Sequence, residues 1–255
     1  MFRRHETFYT FRRDYPVITG IIAIHLIIFL LINPLTRSIF PLGELVYWLG
    51  IGFNPWVAAG EYWRLVTPIF MHVGVGHLLF NSFALALFAP ALEQMLGKIR
   101  FISVYLLTGI LANVATFFIG GLGYNFHLGA SGAIFGLFGL YAYMVFMRKD
   151  LIDSVNSQII LVIVVIGVIM TFLNPGINIY AHIFGLLSGI VIAPLFLGKA
   201  RPFYAAPRKT YQDTEVTFNP NRWKKRRFLT RQKVLNFIGL LFIILVIIGV
   251  LGQLF

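Results

Sequence analysis

Seven apolar stretches divide the chain, at roughly 17–33, 76–95, 101–120, 129–147, 157–173, 179–197 and 234–254. Each is close to the ~20 helical residues that cross a hydrocarbon layer about 30 Å thick. Inside lipid no water satisfies the backbone N–H and C=O groups, so helix is the conformation predicted for all seven. The interval 34–75 reads differently. It is rich in glycine, proline and aromatics and too apolar for a freely solvated loop, and Trp48, Trp56, Tyr62 and Trp63 are its candidate interface anchors. No internal repeat or low-complexity segment interrupts the pattern.

Composition turns this pattern into a class. Apolar residues make up 58% of the 255 positions and charged residues 12%, with a mean hydropathy of +0.83. A soluble domain of this length has too little interior to hide so much apolar surface. The predicted fold is therefore an all-α membrane protein, a polytopic helical bundle. The chain has no cysteine, which removes disulfides, thiolate metal sites and a cysteine nucleophile.

The net charge of +12 raises nucleic-acid binding as a function, but the placement of the charge points to topology. Every lysine and arginine except Arg37 and Arg64 lies before the first stretch or in the intervals after the second, fourth and sixth. The positive-inside rule then predicts a cytoplasmic N-terminus and an external Phe255. No small-residue cleavage site follows the first stretch, so it reads as an uncleaved span. The basic run at 223–227 reads as a juxtamembrane topology signal in contact with anionic lipid, and no nucleic-acid partner is predicted.

With this topology the second, fourth and sixth spans run inward from the outer face, and their N-terminal ends share one depth. His77 and Asn81 open the second span on one helical face, Ser131 opens the fourth and His182 the sixth. Polar groups at membrane depth are costly and point to function. The fourth span carries Gly132, Gly136 and Gly139, and the sixth carries Gly185 and Gly189. These small-xxx-small faces let backbones approach closely, which would bring the His182 imidazole within hydrogen-bond reach of the Ser131 hydroxyl. Taken singly, Ser131 reads as one more small packing residue, and His182 as structural or catalytic alike. Common depth, common direction and matching glycine faces favour a working pair.

The chemistry that such a pair supports is acyl transfer, with Ser131 as nucleophile and His182 as general base. All nine acidic residues fall outside the outer layer of the fourth and sixth spans, so the expected arrangement is a Ser-His dyad with no carboxylate. Candidate oxyanion donors are the Ser131 backbone N–H, the Asn81 amide and His77. Of the six histidines, none belongs to an H-E-x-x-H helix, and His77 and Asn81 lack a carboxylate partner, so no metal is expected. A pair of intramembrane aspartates is also missing. His25 reads as an isolated packing residue.

Gly129-Ala130-Ser131-Gly132, Ala181-His182-Ile183-Phe184-Gly185 and His77-Leu78-Leu79-Phe80-Asn81 together resemble the signature of the rhomboid intramembrane serine proteases, and Trp63-Arg64 is similar to that family's loop motif. The resemblance covers roughly residues 17–198. It implies a six-helix core around a water-filled cavity that opens outward, no cofactor, and cleavage of single-pass membrane proteins near their outer boundary after a small residue. It also implies gating by the fifth helix and the loop 174–178, and supporting roles for Gly129, Gly132, Phe135, Gly185, Trp63 and Arg64. Phe135 stands where bacterial relatives often carry tyrosine; it can stack on His182 but donates no hydrogen bond.

The resulting division is a cytoplasmic segment 1–16, a rhomboid-like core 17–198, a basic cytoplasmic linker 199–233 and an additional, seventh C-terminal helix 234–255. The predicted location is the cell membrane, with the active site opening to the extracytoplasmic side and with the lipid bilayer and membrane-protein substrates as partners. Two other functions fit the sequence less well. A rhomboid-like pseudoprotease would bind clients without cutting them, and loss of Ser131 or His182 would mark it, yet both are present. A transporter or channel would show repeats or mid-membrane charges, and neither occurs.

Overall fold

The computed structural model describes residues 6–33, 41–174 and 176–203. The seventh stretch, the basic run at 223–227 and most of the predicted linker lie outside the described residues. In chain order the helices are α1 (Phe8–Asp14), α2 (Pro16–Ile32), α3 (Pro41–Gly50), α4 (Asn54–Ala58), α5 (Val75–Leu96), α6 (Lys98–Gly120), α7 (Ser131–Met147), α8 (Ser154–Leu173) and α9 (Ile179–Leu197). Two 3-10 turns, Tyr62–Leu65 and Thr67–Phe70, lie between α4 and α5. Among the described residues there is no β-strand, only an isolated antiparallel bridge between Gly52 and His127.

The first six apolar stretches correspond to α2 and α5 to α9. Of these, α5, α6, α8 and α9 are long and apolar enough to cross a membrane, and α1 and α2 form a pair bent by 110°. The chain is a multi-pass membrane protein. α8 starts earlier than its apolar stretch because the Asp153 carboxylate accepts the Asn156 N–H at 2.9 Å and so caps a further turn. α2 begins on Pro16 without a side-chain cap of its own. Glu93 of α5 supplies one, accepting the N–H groups of Val17 at 3.1 Å and Ile18 at 3.0 Å.

The core centres on α7, where every residue from 132 to 142 is buried. α7 has 17 residues, about 25 Å at 1.5 Å per residue, and so falls short of a full hydrocarbon layer. Its glycines meet those of α9 backbone to backbone. A Cβ on Gly185 would fall on the Gly132 carbonyl, one on Gly189 on the Gly136 carbonyl, and one on Gly139 on the Leu186 carbonyl. This is the contact that the glycine spacing predicts. α8 lies at the edge, with only Asn156, Ile160 and Thr171 buried.

The interval 34–75, expected as an interfacial loop, is more ordered than that. Its described part holds α3, α4 and both 3-10 turns, gathered around Arg64, which is 3% exposed. The guanidinium donates to the carbonyls of Trp48 and Ile51, each at 2.7 Å, and to Glu61 at 2.6 Å, and lies 4.3 Å from the Trp56 ring centroid. Trp63 Nε1 donates to the Leu49 carbonyl at 3.0 Å. A buried cation satisfied in this way ties distant parts of the loop together.

Gly189→Ala is expected to lower the heat-unfolding midpoint in detergent, at a cost of about 1–3 kcal/mol for overpacking a rigid contact. Gly20→Ala, where nothing lies within 4 Å of the added Cβ, is expected to keep or raise it. Equal midpoints for both variants would contradict backbone contact between α7 and α9.

Candidate active site

Ser131 is the first residue of α7, and the N-cap position before it is Ala130, which has no side chain able to accept a hydrogen bond. The first N–H groups of a helix have no intrahelical partner, so those at the start of α7 remain available at the positive end of the helix dipole. The backbone leading into Ser131 is held from the preceding loop. The Gly129 N–H donates to the Pro68 carbonyl at 2.9 Å, and the Ala130 N–H donates to His72 Nε2 at 3.4 Å. Gly129 has φ +130, and its missing Cβ would lie 2.7 Å from both Cε1 and Nε2 of His77 and 3.9 Å from Ser131 Oγ. Glycine is required there by conformation and by space alike.

Asn81 lies one turn further along α5 and is buried. Its Nδ2 donates to the His77 carbonyl at 2.9 Å, which orients the amide and leaves one N–H. His182 sits in the first turn of α9. Asn178 caps that helix by accepting the Ala181 N–H at 3.0 Å, and its own amide donates to Thr116 Oγ1 at 3.1 Å. His182 is 7% exposed and its ring stacks on Phe135, with centroids 4.1 Å apart and an interplanar angle of 20°. Its Nδ1 is 2.8 Å from Thr171 Oγ1.

The structure therefore gathers His77, Gly129 and Ser131 at one end of α7, with Asn81 bonded to His77. It brings Phe135 and His182 into contact, and it packs Gly132 against Gly185. The hydrogen bonds of the described residues do not include one between Ser131 and His182, a contact that in unliganded sites often tightens only around substrate. Trp63 and Arg64 organise the preceding loop. Among the described residues no group of three or more His, Asp or Glu is arranged to hold a metal ion.

His25 is not isolated, contrary to the expectation from sequence. Its ring centroid is 4.6 Å from that of His72, which in turn is 5.0 Å from that of His77, and Tyr105 Oη lies 3.4 Å from His25 Nε2. The loop before α5 folds His72 inward against α2, a long-range contact with no trace in local spacing. Thr171, His72 and Pro68 are the site neighbours that sequence reasoning passed over. A cavity of about 650 Å³ lies beside His77, lined by loop residues 124–128 and 176–178 and by the first two residues of α9.

Residues 59–199 match the family model described as a Rhomboid domain. The chain belongs to the rhomboid family. It is 46% identical over 206 residues to "Putative rhomboid protease YdcA" of Bacillus subtilis (strain 168), a match that covers 80% of this chain and 100% of that protein. It is 38% identical over 152 residues to Rhomboid protease GluP of the same organism, covering 59% of this chain and 29% of GluP. Identity to RHOMBOID-like protein 7 of Arabidopsis thaliana is 27% over 176 residues, 69% of this chain and 53% of that protein.

In this rhomboid, His127 and His72 lie outside the spanning helices. Burial pushes the His127 pKa down to about 4, partly offset by its bond to the Asn125 carbonyl. Burial first, then the neighbouring His25 and His77, pushes His72 down as well. Below the ordinary value of 6.5 the unfolded chain takes up protons that the folded chain refuses, so this stability is full above that pH and declines as pH falls. The heat-unfolding midpoint is expected to drop between about pH 7 and about pH 5, and His127→Gln to flatten the drop. A midpoint independent of pH across that window would contradict imidazoles that the fold holds neutral.

Proposed function

We propose that the chain is an intramembrane serine endopeptidase that hydrolyses peptide bonds in or near the transmembrane segments of membrane proteins through a Ser131–His182 dyad. Membership of the rhomboid family and the relatives named as rhomboid proteases support the protease class. The observation that carries the serine mechanism is the uncapped N-terminus of α7, which bears Ser131 beside the first turn of α9 that bears His182.

In this mechanism His182 Nε2 takes the proton from Ser131 Oγ as the oxygen bonds to the scissile carbonyl carbon. The negative charge on the carbonyl oxygen is met by the Ser131 N–H and the Asn81 amide, with His77 beside Gly129 as a third donor. The imidazolium then gives its proton to the leaving amine nitrogen, the C–N bond breaks and an acyl-enzyme remains. A water molecule, deprotonated by His182, attacks the ester carbon. The proton returns to Ser131 Oγ as the new carboxyl group departs. In this reading water and substrate reach the pair by way of the cavity beside His77, which residues 124–128 and 176–180 line.

The distribution of basic residues supports a cytoplasmic N-terminus. In this reading the cavity opens to the extracytoplasmic side of the cell membrane, and the substrates are single-pass proteins cut near their outer boundary. In the same reading residues 17–198 are the catalytic core.

Co-expression with a single-pass model substrate tests this reading. Ser131→Ala and His182→Ala are each expected to abolish cleavage, and undiminished cleavage by Ser131→Ala would refute the mechanism. Asn81→Ala is expected to lower turnover by ~10²–10³ at normal expression, the typical loss for one oxyanion donor. An unchanged rate would remove Asn81 from that role.

A further inference from the structure

A histidine that acts as base must offer an unprotonated nitrogen to the nucleophile and hold its ring in one orientation. In a Ser-His-Asp triad a buried carboxylate does this by accepting the Nδ1–H. Here Nδ1 of His182 meets a threonine instead, at 2.8 Å from Thr171 Oγ1. The Thr171 hydroxyl has a second partner, the Gly167 carbonyl at 2.7 Å. A hydroxyl has one hydrogen and a carbonyl can only accept, so that hydrogen goes to Gly167. Towards His182 the Thr171 oxygen is then left as an acceptor. That assignment gives Nδ1 the imidazole proton and leaves Nε2 its lone pair.

Packing supports the same assignment. Thr171 is 0% exposed although it sits on α8, a helix with few buried residues. Gly167 lies one turn earlier on the same face, and a Cβ there would come within 3.1 Å of Phe135 Cζ. Phe135 is the ring on which His182 stacks. α8 thus meets the site through two residues, one leaving room for the stacking ring and the other bonded to the edge of the imidazole.

We propose that Thr171 is a positioning residue for His182, its oxygen accepting the Nδ1–H and so fixing the tautomer and orientation that present Nε2 to Ser131. The inference rests on the Ser131–His182 reading above. When Nε2 takes the Ser131 proton the ring becomes an imidazolium, and the Nδ1–H···Oγ1 bond is kept. When the proton passes to the leaving amine the ring returns to the same tautomer, still held.

The test compares Thr171→Val and Thr171→Ser in the full chain, reconstituted in liposomes with a single-pass substrate, reading kcat, KM and the heat-unfolding midpoint. Thr171→Val is expected to lower kcat about tenfold with KM within about twofold of wild type, the effect of losing one neutral hydrogen bond. Thr171→Ser, which keeps the hydroxyl, is expected to restore kcat to within about threefold. A kcat for Thr171→Val within about twofold of wild type, or a Thr171→Ser as slow as Thr171→Val, would overturn the proposal. If Thr171→Val does not fold, Thr171→Ala against Thr171→Ser gives the same comparison. Ser131→Ala run in parallel separates the two claims. Activity in that variant would sink the dyad itself, whereas its inactivity beside an unimpaired Thr171→Val would sink only the role of Thr171.

Discussion

Two helices that touch through their backbones set the geometry of this site. Gly132, Gly136 and Gly139 of α7 face Gly185, Gly189 and the Leu186 carbonyl of α9 so closely that a Cβ on Gly139, Gly185 or Gly189 would fall on a backbone oxygen. In lipid no hydrophobic effect drives helices together, so close packing of small residues carries more of the association. Such a seam fixes both the depth and the rotation of α9 against α7. Its first pair, Gly132 and Gly185, adjoins Ser131 on one helix and lies one turn after His182 on the other. The position of the imidazole relative to the start of α7 follows from that contact rather than from any bond between the two residues.

A second layer of support reaches the site from the loop before α5. Arg64 holds that loop by donating to carbonyls of Trp48 and Ile51, and Asn113 of α6 holds it again by donating to the Leu65 carbonyl at 2.9 Å. The loop then presents the Pro68 carbonyl and His72 Nε2 to the N–H groups of Gly129 and Ala130. The Arg64 guanidinium, the Asn113 amide and His72 Nε2 are each partnered in this way, as the cost of burying a polar atom alone favours, whereas His72 Nδ1 is buried without a partner. The result is a braced turn into α7 and a helix start with no capping side chain. An ordinary helix would place Ser, Thr, Asp or Asn at the cap; alanine there leaves the first N–H groups for something else to bind.

Much of this was legible in the sequence because the signals are local. Lengths and hydropathy located the six apolar helices α2 and α5 to α9, and the i, i+4 glycines of α7 and α9 named the helices that touch. Phe135, one turn after Ser131, is placed so that it can stack on His182, and the two rings are stacked. What stayed hidden depends on contacts between distant segments. A single threonine in the apolar run of α8 looks like any other small polar residue until His182 is seen 2.8 Å away. His25 looked isolated because its neighbours, His72 and Tyr105, come from a loop and a helix far along the chain. The order within the interval 34–75 was missed for the same reason, since Arg64 organises it through carbonyls that no side-chain pattern reveals.

A Ser131 nucleophile activated by His182 should react with a serine-directed fluorophosphonate, and mass-spectrometric mapping of the adduct reads this out. One modified residue, Ser131, is expected, with loss of that adduct in a folded His182→Ala variant. Modification at another residue, or labelling of Ser131 that is undiminished without His182, would contradict that role.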